Sequence, residues 1–325
     1  MMVMRMSPCR HAPVTDHGKL ARLPGGALPT MRPIRLVHVS DTHLSRTHAY
    51  FADNWSVFRE EMTAAPPDLL VHGGDLSFNG PMAEDDLAHG AAELAALGLP
   101  WRAVPGNHDI GEAPAFSRLG QPLTPARMAA WRRHVGPQWW RLDLGAWRLV
   151  GLDTALMASG LPEEAEQAKF LAETLDGRGS RPVMLFMHMP PFEDAPEDAA
   201  VTTAVVPHPA RGAFLKACAA GGVRVIACGH LHEYRRLWHR GMDIVWAPST
   251  AMVDVRRGLA RQGCFPRPGY VEWVLDGTEA SHRLVEPPRM FAIDMTGWTA
   301  LNGGTVTTLP PRRLVTQAER METAV

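Results

Sequence analysis

Residues 101–111 read WRAVPGNHDIG. An apolar run that looks like a buried strand reaches Val104, turns through Pro105 and Gly106, and then delivers Asn107, His108 and Asp109 in succession. Pro and Gly punctuate the end of a strand, so three side chains that can bind a metal or move a proton stand at a strand tip. The same pattern recurs along the chain. LVHVSDTHL ends in Asp41 and His43, LLVHGGDLS in Asp75, MLFMHMPP in His188, and VIACGHLHE in His230 and His232. In α/β sheets the carboxyl ends of parallel strands line one crevice. Five segments far apart in sequence are therefore expected to converge there.

Outward from these tips, short apolar runs alternate with amphipathic stretches, the signature of an α/β architecture with mainly parallel strands. The expected strands are IRLVHVS, DLLVHGG, WRAVPG, WRLVGLD, PVMLFMH, VRVIACG and DIVWAPS, with helices near 52–64, 82–98, 124–135, 163–176 and 209–220. YVEWVLDG and SHRLVE flank a tight turn at Asp276 and Gly277, so they read as a hairpin and predict a second, partly antiparallel sheet. Residues 1–30 are rich in Pro and Gly without apolar periodicity and read as a disordered leader before the domain at 31–290; residues 291–325 read as a C-terminal tail. An initiation site assigned too early accounts equally well for the leader. No internal repeat or low-complexity segment stands out.

The 325 residues are 46% hydrophobic, enough for a large core, and Lys+Arg 33 against Asp+Glu 34 leaves a net charge of -1. That balance gives no electrostatic footprint for nucleic acid or a membrane surface. Cys9, Cys218, Cys228 and Cys264 form no C-x-x-C pair, which fits a reducing cytoplasm. No apolar stretch reaches the roughly 18 residues that cross a bilayer, and no apolar export segment follows the N-terminal charges.

Asp, His and Asn donors without thiolates suit Zn, Mn, Fe or Co. Seven such ligands (Asp41, His43, Asp75, Asn107, His188, His230 and His232) exceed the needs of one ion. Two ions roughly 3.5–4 Å apart, bridged by a carboxylate and a hydroxide, use them all. Asp75 stands alone at its strand end behind the small Gly73 and Gly74, which makes it the natural bridge. In extended geometry Asp41 and His43 share a side, as do His230 and His232, so each pair can clasp one ion or straddle two. Neutral Asn107 limits the total negative charge. Taken alone, D-x-H is a common chance match, and His38, His72 and His188 each read as ordinary core residues of apolar strands, His38 and His72 with the further option of supporting a ligand. Recurrence in order at strand ends carries the weight.

D41-T-H43, G74-D75, G106-N107-H108-D109, H188 and G229-H230-L-H232 resemble, in that order, the five blocks of the calcineurin-like metallophosphoesterase family, over about residues 34–250. The resemblance implies a two-sheet β-sandwich flanked by helices and two divalent or trivalent transition metal ions (Mn, Fe, Zn or Co). It further implies that Asp41, His43, Asp75 and His232 hold the first ion, and Asp75, Asn107, His188 and His230 the second. By the same resemblance Asn107 also touches the substrate phosphate, His108 faces the leaving-group oxygen, and Asp109 orients His108. A bridging hydroxide would then attack phosphorus in line.

Within the family, purple acid phosphatases carry a Tyr after the second-block Asp, but here the segment reads GDLSFNGP. Ser/Thr protein phosphatases carry GDxxDRG and GNHE, whose positions Leu76, Ser77, Phe78 and Asn79 do not match. The acidic block and DNA-capping region of repair nucleases are also missing. SDTHL, GDLSFNG, PGNHD, HMPP, GHLH and GLDT are similar instead to bacterial class III cyclic-nucleotide phosphodiesterases and glycerophosphodiesterases. The expectation is a small-molecule phosphodiester substrate, a cyclic nucleotide or alternatively a glycerol or phospholipid-derived diester, with homo-oligomerisation left open. A non-catalytic metal-binding scaffold is the alternative from another class; such scaffolds lose ligands or the residue at His108, and this chain has all of them. Substrate choice would rest on 45–55 and 191–211, where His48, Trp55 and His208 lie. The Arg-rich stretch VRRGLARQGCFPRPGY either caps the site, mediates a dimer contact or is a solvated loop.

Overall fold

The computed structural model describes residues 32–117, 120–198, 202–262 and 266–294. The expected leader (1–30) and nearly all of the expected tail lie outside the described residues. Residues 291–294 fold back onto the body: the Asn54 side chain donates to the Phe291 carbonyl at 2.9 Å and accepts from its N–H at 2.7 Å.

Eleven strands among the described residues form two sheets. The first contains β1 (Ile34–Val39), β2 (Leu69–His72), β3 (Trp101–Ala103), β10 (Tyr270–Asp276) and β11 (Glu279–Val285), in the order β11-β10-β1-β2-β3. The second contains β4 (Trp140–Leu144), β5 (Trp147–Leu152), β6 (Val183–Met187), β7 (Val223–Cys228), β8 (Arg235–His239) and β9 (Met242–Trp246), in the order β4-β5-β6-β7-β9-β8. β1, β2 and β3 run parallel, as do β5, β6, β7 and β9; β10, β11, β4 and β8 are antiparallel to their neighbours.

Strand alternation explains the layering. Leu36, Val71, Met184, Phe186, Val225, Ala227, Val245 and Trp273 meet between the sheets. Their sequence neighbours face outward, because successive side chains alternate across a strand. Val37, Val39 and Leu70 pack under α1 (Ala52–Ala64) and α2 (Glu84–Ala95). Leu185, Met187, Ile226, Ile244 and Trp246 pack under α5 (Pro162–Asp176) and α6 (His208–Ala220). The short α3 (Asn107–Ile110) and α4 (Pro125–His134) complete the near side of the first sheet around Met128 and Trp131. This is the two-sheet sandwich flanked by helices that the family resemblance implies, with strands buried on both faces reading as unbroken apolar runs.

The β10–β11 hairpin forms where expected, but it does not build a separate sheet. Ile34 pairs with Leu275 and Val37 with Glu272, so the hairpin extends the sheet of β1. Arg35 and Arg283 both bond the buried Glu272 carboxylate, at 2.7 and 2.8 Å, and the Trp273 ring faces the core, which together select this edge. The edge strands β4 and β8 and the helix α7 (Val255–Gln262) are absent from the expected elements. α7 carries part of the Arg-rich stretch, and its Arg257 reaches Glu193 at 3.1 Å.

Candidate metal centre

Five of the seven expected ligands leave their strand tips through backbone that few residues adopt. Asp41 (φ 55°), His43 (45°), Asp75 (53°), His230 (72°) and His232 (55°) are all left-handed. The i, i+2 pairs therefore do not share a face by extended geometry, as the sequence reading had it. They share it because the chain turns sharply just beyond each strand, and neighbouring loops zip together through Asp41 N–H to Gly74 O (2.9 Å), His43 N–H to Asp75 O (3.0 Å) and Gly229 N–H to His188 O (2.9 Å). Non-Gly residues in this region cost energy and concentrate at functional sites. Gly74 has φ 99°, and a Cβ there would lie 2.5 Å from His188 Nδ1.

All seven expected ligands come together. Ligand atoms of Asp41, His43 and His232 fall within 4.8 Å of one another, as do those of Asp75, His188 and His230 and those of His43, Asp75 and His108. Between them, His43 Nε2 lies 3.4 Å from His232 Nε2 and 3.8 Å from Asp75 Oδ2, while His188 Nε2 lies 3.3 Å from Asp75 Oδ2 and 3.2 Å from Asn107 Oδ1. Asp75 thus belongs to two neighbouring clusters. Its Oδ1 also accepts the His108 N–H at 2.8 Å, which fixes the turn of α3 against the carboxylate.

Second partners set the imidazole orientations. His188 Nδ1–H donates to Gly73 O at 2.9 Å, and His230 Nε2–H donates to Thr203 O at 2.8 Å. A carbonyl behind the ring leaves the opposite nitrogen as the lone pair, the usual support for a metal-binding histidine. His188 Nε2 and His230 Nδ1, the nitrogens left facing the site, lie 3.1 Å apart, with Asp75 Oδ2 3.3 Å from His188 Nε2. Asp41 Oδ1, buried and 3.3 Å from His232 Nε2, has no aligned hydrogen-bond donor. Carboxylate oxygens and ring nitrogens line a site that holds a proton on His188 when no metal is bound and can exchange that proton for a cation, so the donor set fits metal ions.

Electrostatics agree. Burial works against the charge on Asp41 and Asp75, yet the surrounding histidines hold both carboxyls below their ordinary range. Burial and the neighbouring His108 push His43 far down, and burial with His188 pushes His230 down to about 4. His188 moves the other way: burial disfavours its charge, but Asp75 and Asp41 carry it up to about 9. Ionised carboxylates beside mostly neutral imidazoles are the protonation states a metal requires, and His188 marks where positive charge is most stabilised.

Only His108, His230 and His232 of the cluster are half-exposed, so the cleft opens on their side. His108 does not pair with Asp109. Its Nδ1–H donates to Phe78 O at 2.8 Å. The Asp109 carboxylate instead accepts from the N–H groups of Gly106 (2.9 Å), Leu76 (3.2 Å) and Ser77 (2.8 Å) and from Ser77 Oγ (2.8 Å). Four donors on two strand-end loops claim both of its oxygens, which corrects the expectation that it orients His108. Asp109 is a clasp between the loops of β2 and β3, and burial beside Asp75 raises its pKa to about 6.

His72 supports the ligand loops from behind: Nε2 contacts Thr42 Oγ1 at 3.0 Å and Nδ1 accepts from Gly74 N–H at 3.2 Å. His38 is fully buried edge-on to Phe186, with no hydrogen bond, and burial lowers it to about 3. Trp55 is buried in α1 and bonds Glu93 at 2.9 Å beside a cavity of about 120 Å³ that His43 also borders. His208 opens α6 with an exposed side chain. The carbonyls of Gly73, Phe78 and Thr203 were invisible to motif reasoning, because a backbone acceptor leaves no mark on residue identity.

Residues 34–234 match the Calcineurin-like phosphoesterase family. Among curated proteins the chain is 26% identical over 239 residues to the 3',5'-cyclic adenosine monophosphate phosphodiesterase CpdA of Escherichia coli (strain K12), covering 67% of this chain and 77% of that protein. It is 29% identical over 227 residues to the glycerophosphodiester phosphodiesterase GpdQ of Enterobacter lignolyticus, covering 66% and 77%. Among solved structures a dimetal phosphatase from Danio rerio matches with TM-score 0.55 and 16% identity, over 78% of this chain and 98% of that one. A purple acid phosphatase from yellow lupin (Lupinus luteus) matches with TM-score 0.59 and 14% identity over 81% of this chain, which spans about half (53%) of that longer protein. At these identities the structures speak for the fold.

Proposed function

The chain belongs to the calcineurin-like phosphoesterase family and is a metal-dependent phosphoester hydrolase, and from that premise we propose that it hydrolyses small phosphodiesters. The observation that carries the reading is the pair of ligand clusters meeting at Asp75, with half-exposed His108 on their rim. Two phosphodiesterases, one for a cyclic nucleotide and one for a glycerol diester, stand among its relatives.

In this reading Asp41, His43, Asp75 and His232 hold one ion, and Asp75, Asn107, His188 and His230 the other. Bound there, two transition ions supply Lewis acidity, ionising water near neutral pH and neutralising phosphate oxygens. Asn107 Oδ1, beside His188 Nε2, keeps a neutral ligand among charged ones, and its amide nitrogen is free to donate to a phosphate oxygen. His108 is the general acid. With Nδ1–H committed to Phe78 O, its Nε2 carries a transferable proton only as the imidazolium. That proton passes to the departing ester oxygen as its bond to phosphorus breaks, while the oxygen of water bonds phosphorus from the opposite side. Asp109 acts through the loops it clasps, by fixing Ser77 and Gly106 on either side of Phe78 and His108.

The test is turnover of bis(p-nitrophenyl) phosphate beside p-nitrophenyl phosphate by protein reconstituted with Mn, with cyclic AMP and a glycerophosphodiester as competitors. Preferential diester cleavage that either competitor inhibits is expected. Monoester preference would replace the diester reading, and no hydrolysis with Mn, Fe, Co or Zn would make the protein a metal-binding scaffold.

A further inference from the structure

The carbonyl that holds His108 belongs to Phe78, and the Phe78 ring begins an aromatic cluster beside His108. His48 lies on that ring with centroids 5.2 Å apart and planes 13° from parallel. Tyr50 leans against both, 6.1 Å from His48 and 6.0 Å from Phe78. Phe51 carries the ring contacts to the edge of His43, 6.3 Å away, and the rings of His43 and His108 are 4.7 Å apart. Phe51 and Phe78 are buried, whereas His48 and Tyr50 are half-buried. One face of His48 rests on Phe78, so its exposed area lies on the opposite face.

The loop that presents these rings is built in place. Buried Ser45 Oγ accepts from the N–H groups of Thr47 (3.1 Å) and His48 (2.9 Å) and donates to the buried Asp86 carboxylate at 2.6 Å. Ala49 and Phe51, alternating with His48 and Tyr50, are buried and anchor the segment. A flat ring surface held rigid before binding costs little further ordering when a ligand lands on it. Residues chosen only to cover a core need not stack a half-exposed imidazole in parallel, one residue pair removed from the proton donor.

Resting on the phosphodiesterase reading above, we infer that the shelf of His48 and Tyr50, backed by the buried Phe78 ring, receives a planar ring on one ester arm of the substrate, so that the enzyme selects a nucleobase-bearing phosphodiester over one with open-chain polyol arms. Stacking discriminates ring from no ring and is tolerant of which base is present. A glycerol arm offers the shelf no flat face.

Calorimetric binding of adenosine 5'-monophosphate and of glycerol 3-phosphate to the Mn-reconstituted protein reads the shelf without turnover. Loss of one stacking partner weakens base binding by roughly 5- to 150-fold. Wild type is expected to bind the nucleotide at least tenfold more tightly than glycerol 3-phosphate. His48→Ala and Tyr50→Ala should each cut that ratio at least fivefold, and His48→Phe should restore it. Reading the ratio guards against a variant that loses metal or fold, because both ligands then weaken together and His48→Phe would not recover selectivity. Equal binding of the two ligands by wild type, or a ratio that survives both alanine variants, overturns the inference. A wild type that prefers the nucleotide yet cleaves no diester upholds the shelf and removes the diester reading; one that cleaves diesters without ring preference removes the shelf alone.

Discussion

His188 Nε2 and His230 Nδ1 face each other at 3.1 Å, and the remaining nitrogen of each ring donates to a backbone carbonyl, Gly73 O and Thr203 O. The chain therefore turns both nitrogens toward the Asp75 carboxylate, which with Asp41 keeps a proton on His188 when no metal is bound. A cation that binds displaces that proton and meets ligands the fold has already gathered, so metal binding is coupled to proton release and to stability.

Metal loading should accordingly raise thermal stability. At a free metal concentration 100 times Kd the gain is about 2.7 kcal/mol, roughly 5–10 °C in Tm for a domain of this size. His230→Ala should collapse that gap between loaded and chelated protein while leaving the metal-free Tm within about 3 °C of wild type, since the half-exposed ring gives up only its contacts to Thr203 O and His188. Differential scanning calorimetry with Mn and with EDTA checks this; a metal-free Tm far below wild type would mean that the His230 ring holds the fold rather than the ion.

His108→Ala should behave oppositely. The side chain stands on the rim, half-exposed, and only its backbone N–H bonds Asp75. Metal content by atomic emission should stay at the wild-type level while kcat for a poor leaving group falls about 100- to 10,000-fold. An activated p-nitrophenolate, which departs without a proton, should lose less. Loss of metal in this variant would make His108 a ligand, as its proximity to His43 and Asp75 allows.

Asp109→Asn separates a clasp from a catalytic orienter. The carboxylate accepts four donors, and an amide supplies one acceptor oxygen with an NH₂ set against N–H groups. A stability loss of about 2–3 kcal/mol is expected in urea denaturation, with activity falling because the loop that carries Phe78 O shifts. Full stability with a reduced rate would restore the orienting role to Asp109.

Much of this was legible in the sequence because buried parallel strands are written as continuous apolar runs, which makes Asp41, Asp75, Asn107, His188 and His230 conspicuous where each run stops. What was not legible has physical reasons. β4 (Trp140–Leu144) and β8 (Arg235–His239) are half-exposed edge strands, and Arg141, Asp143, Arg235 and Arg236 break their apolar pattern. The hairpin's place beside β1 depends on Glu272 meeting Arg35 and Arg283, a tertiary choice that a turn signal does not encode. The left-handed turns at Asp41, His43, His230 and His232 occur without Gly or Asn, so only the fold reveals them. Asp109 misled because its partners are backbone N–H groups, which every sequence contains.

Gly74→Ala should damage stability and site together. Gly74 sits at φ 99°, where an L side chain is strained by about 1–2 kcal/mol, and its Cβ would press on His188 Nδ1 at 2.5 Å, the atom that bonds Gly73 O. Overpacking adds about 1–3 kcal/mol, giving about 2–5 kcal/mol in a denaturant titration. The displaced His188 should also weaken metal affinity measurably by competition with a chromophoric chelator. Unchanged affinity would mean that the loop relaxes without moving the ligand.

Stability in acid should depend on Glu272. Burial works against its charge, but Arg283 and Arg35 outweigh burial and hold the carboxyl below its ordinary value. A carboxylate whose folded pKa is depressed contributes stability that is fully present above the unfolded value of about 4.3 and disappears as pH falls through the folded one. Glu272→Gln should therefore cost about 1–3 kcal/mol at pH 7, and the gap between wild type and variant should narrow steadily below about pH 4.5. Urea melts of both proteins between pH 7 and pH 3.5 measure it. A gap that stays constant across that range would assign Glu272's contribution to packing between β1 and β10 rather than to its charge, because a packing term does not respond to protons and the two guanidinium partners remain charged throughout.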